Sequence, residues 1–173
     1  MDLAVDLARS EIPTDALLSP SGLSRWLGER RDVLGPASEE VALRLPQFRA
    51  LREAIGRTFG AALGGRPLPP DAVAALNAAS AAAPGFPRLD ASDRAQPVAT
   101  TATLEVGRTA EIIAAIARSA IAIVGGPERT RLRVCEAPSC GRFFVAGRPD
   151  QVWCSSACGN RARVARHYAR AGR

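Results

Sequence analysis

The sequence predicts an α+β chain in which a helix-rich N-terminal domain carrying one β-hairpin, residues 1–127, precedes a small cysteine-built C-terminal unit, residues 128–173. Three observations predict it. Apolar residues recur at helical spacing through most of the first 125 residues, one stretch near residue 100 switches to β-branched alternation, and all four cysteines fall between Cys135 and Cys158.

The elements follow in order. In SPSGLSRWLGER, Ser19 is a cap, Pro20 takes the first helical position, and Leu23, Trp26 and Leu27 share a face. A second helix is expected from about Ser38 to Leu45, with Pro46 ending it or starting its successor. QFRALREAIGRTFGAAL then places Phe48, Leu51, Ile55, Phe59 and Leu63 at helical spacing until Gly64 and Gly65 stop it. Pro70 and Asp71 start a short alanine-rich helix that Pro84 closes. FPRLD and VATTATLEV read as a hairpin, with Val98, Thr100, Ala102, Leu104 and Val106 on one side. From about Arg108 to Val124 a helix turns Ile112, Ile113, Ile116, Ala120 and Ile123 inward, and Gly125, Gly126 and Pro127 mark the domain boundary. Glu111 and Arg118 cut this most apolar run, which is too short to cross a bilayer. The first residues, MDLAVDLARSE, lack the apolar run of a secretory signal, so a cytoplasmic protein without membrane attachment is expected.

Charge separates the two parts. Formal net charge is +6, and all 23 basic residues are arginine, whose forked guanidinium suits phosphate. Residues 129–173 hold ten arginines against Glu136 and Asp150, a net of +8; residues 1–128 hold 13 against 15 acids, a net of −2. The basicity belongs to the last quarter of the chain.

Cys135 and Cys140, then thirteen intervening residues, then Cys154 and Cys158 form two close pairs of thiols, the pattern one tetrahedral zinc ion requires. Two disulfides or buried free thiols are the alternative, against which the missing secretory signal weighs. Four thiolates leave no open coordination position, so the ion is structural, and it would supply stability that so small a unit lacks. RLRV leads into the first pair, FFV at 143–145 and QVW at 151–153 can pair across AGRPD, and a helix starts near Ser155. A knuckle, a hairpin and a helix bearing the last two ligands make a treble clef. On a helical wheel Arg163, Arg166, Arg170 and Arg173 form a solvated stripe with His167 beside it. Arg161, Val164 and Tyr168 fall on the side of Cys154 and Cys158. Arg161 is therefore assigned to support of the zinc loop, with Gly159 and with Trp153, which is read with Phe143 and Phe144 as small-domain core. Asn160 is open to the adjacent backbone or to a nucleic-acid base.

The run Trp153, Cys154, Ser155, Cys158, Gly159, Asn160, Arg161, with Arg166, His167 and Tyr168 following, resembles the CGNR zinc-finger family of bacterial proteins. In that family the finger follows a helix-rich module, the ABATE domain. The resemblance implies a stress-induced transcription regulator whose finger binds DNA and whose N-terminal domain binds an unidentified ligand. Two segments depart from the family pattern: Val145 to Gln151 replaces a polar run of the finger hairpin, and Val5 to Ser10 replaces an N-terminal Leu-Asp-Phe-Val-Asn-Thr type segment.

The leading expectation is thus a regulator that holds one zinc ion and meets duplex DNA through Arg163, Arg166, Arg170, Arg173, His167 and Asn160. A zinc-stabilised protein adaptor and an RNA-binding protein are the alternatives, separable by salt-sensitive binding to duplex DNA. An enzyme is not expected, because no carboxylate pair, phosphate loop or free nucleophile converges in the sequence.

Overall fold

The computed structural model describes residues 2–9, 15–92, 96–104 and 106–171; the side chains of Thr103, Arg170 and Ala171 fall outside that description, as do all of Arg173 and Ser10. Its helices are α1 (Leu3–Ala8), α2 (Pro20–Gly28), α3 (Arg31–Leu34), α4 (Glu39–Leu43), α5 (Leu45–Leu63), α6 (Pro70–Ala81), α7 (Arg108–Gly125) and α8 (Ser156–Ala171). Strands β1 (Gly85–Asp90) and β2 (Val98–Thr103) form one antiparallel pair, and β3 (Leu132–Val134) with β4 (Phe143–Val145) a second. A 3-10 turn at Pro127–Arg131 links α7 to β3. No described helix is long and apolar enough to cross a membrane.

Local chemistry accounts for the helix starts. The Ser19 hydroxyl accepts from Gly22 N at 3.1 Å and Pro20 occupies the first turn of α2. Pro46 sits at the start of α5, where its missing N–H costs nothing, and so separates α4 from α5. One core joins these helices: Leu23, Trp26, Phe48, Ile55, Phe59, Ile112, Ile116 and Ile123 are buried together. Leu63, expected inside, is 37% exposed because α5 outruns its neighbours there. Helices α1 and α3, which the sequence reading left unassigned, are only 6 and 4 residues long.

Arginines tie the helix ends. Arg49 donates to Leu17 O at 2.7 Å and Leu18 O at 3.0 Å. Arg118 donates to Ser80 O at 3.0 Å and also to Ala83 O, closing the end of α6. Arg108 reaches Pro36 O at 2.9 Å and Leu34 O, fastening the segment before α4.

The β1–β2 hairpin is present in the predicted place, with Gly85 opposite Thr103 and Asp90 opposite Val98. It does not bury one face as alternation implied: Phe86, Leu89 and Val98 are 49%, 68% and 60% exposed. Leu104 and Val106 lie past the end of β2 and are exposed too.

The second hairpin corrects the expected pairing. FFV pairs with RLRV, Leu132 facing Val145 and Val134 facing Phe143, while QVW forms no strand. Strand β4 is apolar on both faces because it is covered on both. Phe143 and Val145 pack on the helical core with Leu132, and Phe143 meets Phe59 edge-on at 5.5 Å. Phe144 and Ala146 point the other way, into a second cluster with the cysteines and Ala162.

Candidate metal centre and basic helix

The β3–β4 hairpin positions the first pair of thiols. Cys135 N donates to Arg142 O at 2.8 Å and Cys140 N to Ala137 O at 3.0 Å, folding residues 135–140 into a knuckle between the strands. The turn needs left-handed backbone at Ser139 (φ 57°) and Gly141 (φ 62°), the second a position where glycine carries no steric cost. Helix α8 positions the second pair. Its Ser155 hydroxyl caps the first turn by accepting from Cys158 N at 3.2 Å. Cys158 therefore lies in that turn, but Cys154 precedes the helix, which begins at Ser156 and so bears one of the last two ligands and not both as the sequence implied.

The four sulfurs converge. Cys140 and Cys154 Sγ are 3.8 Å apart, Cys154 and Cys158 3.6 Å, and Cys158 and Cys140 3.7 Å. A tetrahedral zinc ion with bonds of ~2.3 Å to sulfur requires S···S edges of about 3.8 Å. All four ligand atoms lie within 4.8 Å of one another, and none forms a disulfide. The donor set therefore fits one zinc ion with no coordination position left over.

Two polar groups brace the sulfurs from outside. Cys154 N donates to Cys135 Sγ at 3.3 Å, and Arg161 Nη2 to Cys158 Sγ at 3.2 Å. Such contacts spread thiolate charge and orient the ligands. The Ser155 hydroxyl, helped by the neighbouring thiols, brings the Cys158 thiol down to about 6, whereas burial foremost pushes Cys154 up to about 12 and raises Cys140 as well. The Cys158 thiolate forms readily, whereas Cys140 and Cys154 resist ionisation, chiefly because burial disfavours the charged form. A divalent cation removes that resistance.

Trp153, just before the Cys154 ligand, packs against the start of α8. Its ring lies over Gly159 so closely that a methyl there would stand 3.1 Å from Cε3, tighter than an ordinary contact. Arg166 stands over the same ring at 5.7 Å and donates from Nε to Ala162 O at 3.3 Å. Trp153 is thus packed as expected, while Arg166 is held toward the finger and is not wholly part of a free stripe.

The rest of α8 departs from the helical wheel. The buried positions are Cys158, Gly159 and Ala162, with Ala165 half-buried; Val164 and Tyr168 are 54% and 71% exposed, because among the described residues none covers that side of the helix. Arg161, Arg163 and His167 are exposed also, and Arg161 still reaches the Cys158 sulfur along its long stem. Arg163 bonds Asn160 Oδ1, so that amide turns to a neighbouring side chain and not to the backbone. His167 meets Tyr168 edge-on at 5.9 Å and is not one of the residues around the sulfurs. The side chain of Arg170 and the whole of Arg173 lie outside the described residues. Sequence reasoning missed Arg142 and Ser155; the second is a cap signal legible three residues before Cys158.

Among curated proteins none matches the chain. Family models match both parts of it. Residues 131–171 match the CGNR zinc finger, and residues 1–127 match ABATE, described as "Putative stress-induced transcription regulator". Neither is an enzyme family. With one model covering most of the chain and the other its cysteine quartet, the chain belongs to the ABATE family and ends in a CGNR zinc finger that takes one zinc ion.

Proposed function

We propose that this zinc-binding regulator contacts duplex DNA through α8, and that residues 1–127 act as a ligand-responsive unit upstream of the finger at 128–173. The observation that carries the reading is the state of α8: Arg163 and Arg166 are exposed on a helix that contains no acid, and no acidic side chain pairs with them among the described residues, while Arg161 is engaged with the Cys158 sulfur. Unneutralised guanidinium groups on one projecting helix are an electrostatic footprint for phosphate. Zinc supplies no catalysis in this reading. It fixes the angle at which α8 leaves the hairpin, and four thiolates leave it no site for a substrate. No enzymatic activity and a cytoplasmic location complete the proposal.

The zinc-loaded full chain, titrated onto mixed-sequence duplex DNA at rising salt, tests the reading. Affinity should fall steeply between low and moderate salt as displaced counterions return. Binding that is absent, or insensitive to salt, would favour the zinc-stabilised protein adaptor.

A further inference from the structure

Four buried side-chain polar atoms among the described residues lack a hydrogen-bond partner: Asp6 Oδ2, Trp26 Nε1, Arg30 Nε and Arg142 Nε. They belong to residues that line a single cleft of ≈530 Å³, where α1 and α2 meet the base of the zinc knuckle. Two of the four partly answer each other, since Arg30 Nε and Asp6 Oδ2 stand 3.5 Å apart as an ion pair longer than a good hydrogen bond. Arg30 is otherwise well held: it donates to Trp26 O at 3.0 Å and stacks 4.3 Å over the Trp26 ring. Trp26 is only 4% exposed, yet its indole N–H has no acceptor. Arg142 has no acid beside it among the described residues.

A buried polar group without a hydrogen bond is costly, so the unused donors of Trp26, Arg30 and Arg142 around one cleft call for an acceptor-bearing ligand. Charge points the same way. Of the acids lining the cleft, Asp15 is taken by Arg52 at 2.6 Å and Glu29 by Arg30 at 3.2 Å. Arg9, Arg25 and Arg142 line it without a described acidic partner.

We propose that this cleft binds a small organic oxyanion, a carboxylate or phosphate, whose oxygens accept from Trp26 Nε1, Arg30 and Arg142, with Asp6 accepting from a hydroxyl or amino group of the same ligand. The proposal rests on reading the N-terminal unit as ligand-responsive and gives that reading a route. Arg142 is a finger residue: its carbonyl accepts from Cys135 N at 2.8 Å, and it stands between Gly141 of the knuckle and the first residue of β4. A ligand that draws the Arg142 side chain toward α2 acts directly on the backbone that places Cys135, and so on the stance of α8.

The test uses the zinc-loaded full chain and two probes, inorganic phosphate and L-malate. Two-dimensional NMR resolves the indole N–H signals of Trp26 and Trp153, and Trp26→Phe assigns them. At least one probe should move the Trp26 signal saturably, and Arg142→Gln should weaken that probe about tenfold or more while zinc content stays at one ion. Should Arg142→Gln lose zinc, Arg142→Lys keeps the stem and charge but not Nε, and it too should bind the probe more weakly. A phosphate-only response identifies a phosphate ligand, and a malate-only response a carboxylate. The proposal is overturned if neither probe moves the Trp26 signal, or if the Arg142 variants bind as the parent does. The site and the sensing role fail separately: saturable binding at Trp26 that leaves DNA affinity unchanged removes the coupling to the finger, and a DNA response to either probe without a Trp26 shift removes this cleft.

Discussion

Arginine plays opposite parts in the two regions of this molecule. In the helical unit Arg108 and Arg118 donate to main-chain carbonyls at or just after helix ends, Arg49 to those of the turn before α2, and Arg52 and Arg57 hold Asp15 and Asp71 at 2.6 and 2.5 Å. On α8, among the described residues, the hydrogen bonds of Arg163 and Arg166 reach residues of the same helix and none meets an acid. The contrast teaches that composition alone does not mark a binding surface. An arginine that caps a helix is spent in folding, whereas Arg163 and Arg166 keep their charge unpaired by any described acid.

The regions also differ in what holds them, and the largest predicted effect follows from that. Structural zinc contributes ~10–16 kcal/mol of apparent binding free energy in small fingers. Chelation, or Cys154→Ser, should therefore abolish the ordered α8 signal while the helices up to α7 keep theirs; NMR resolves the two sets. Survival of α8 in chelator would break the comparison. Next in size is Leu132→Ala. Leu132 is fully buried in the helical core although it belongs to the finger hairpin. Its truncation should cost about 2–5 kcal/mol in unfolding of the helical unit without loss of zinc. The same packing predicts that residues 1–126, made alone, expose Phe59 and become prone to association.

Smaller effects sharpen the contrast in arginine use. Arg118→Gln strips the end of α6 and should lower stability by about 1–3 kcal/mol, while Arg163→Gln should stay within ~0.5 kcal/mol, both read by denaturant unfolding. Acid gives the finest separation. The Arg52 guanidinium beside Asp15 holds its carboxyl below the usual 3.8, so the pair stabilises above that value and its contribution fades as pH falls through the lowered one. The pair is partly exposed and its contribution is at most about 1 kcal/mol. Zinc ligands must be deprotonated, so protons displace the metal at milder acidity than the Asp15 pair needs. Zinc release, followed with a metal indicator, should precede any loss of helicity before α8. Simultaneous loss would show that the helical unit leans on the metal.

Much of this fold is legible in the sequence. Caps and prolines placed α2, α5 and α6, since a missing N–H and a hydroxyl acceptor act locally. Isoleucines at helical spacing placed α7, and paired thiols announced the metal centre. What failed needed partners distant in sequence. RLRV, FFV and QVW are all short and apolar, and which two pair depends on where the knuckle turns, which Ser139 and Gly141 decide. The clue that FFVA is apolar on both faces, and so must be covered on both, was present in β4. The wheel placed Val164 and Tyr168 inside because periodicity records phase and not how far a packing partner extends. The cleft at Trp26 draws Arg142 from more than 110 residues away, a distance no local pattern spans.

The central claim is that the exposed arginines of α8 meet phosphate. Its most direct measurement is the slope of log affinity against log salt for duplex DNA, compared between the zinc-loaded parent and its Arg163→Gln and Arg163→Gln/Arg166→Gln variants, each checked for one zinc ion. Each lost phosphate contact should flatten the slope by roughly 0.9 and weaken binding across sequences. Unchanged slope and affinity in variants that retain zinc would contradict the account, leaving α8 a solvated face and the protein an adaptor.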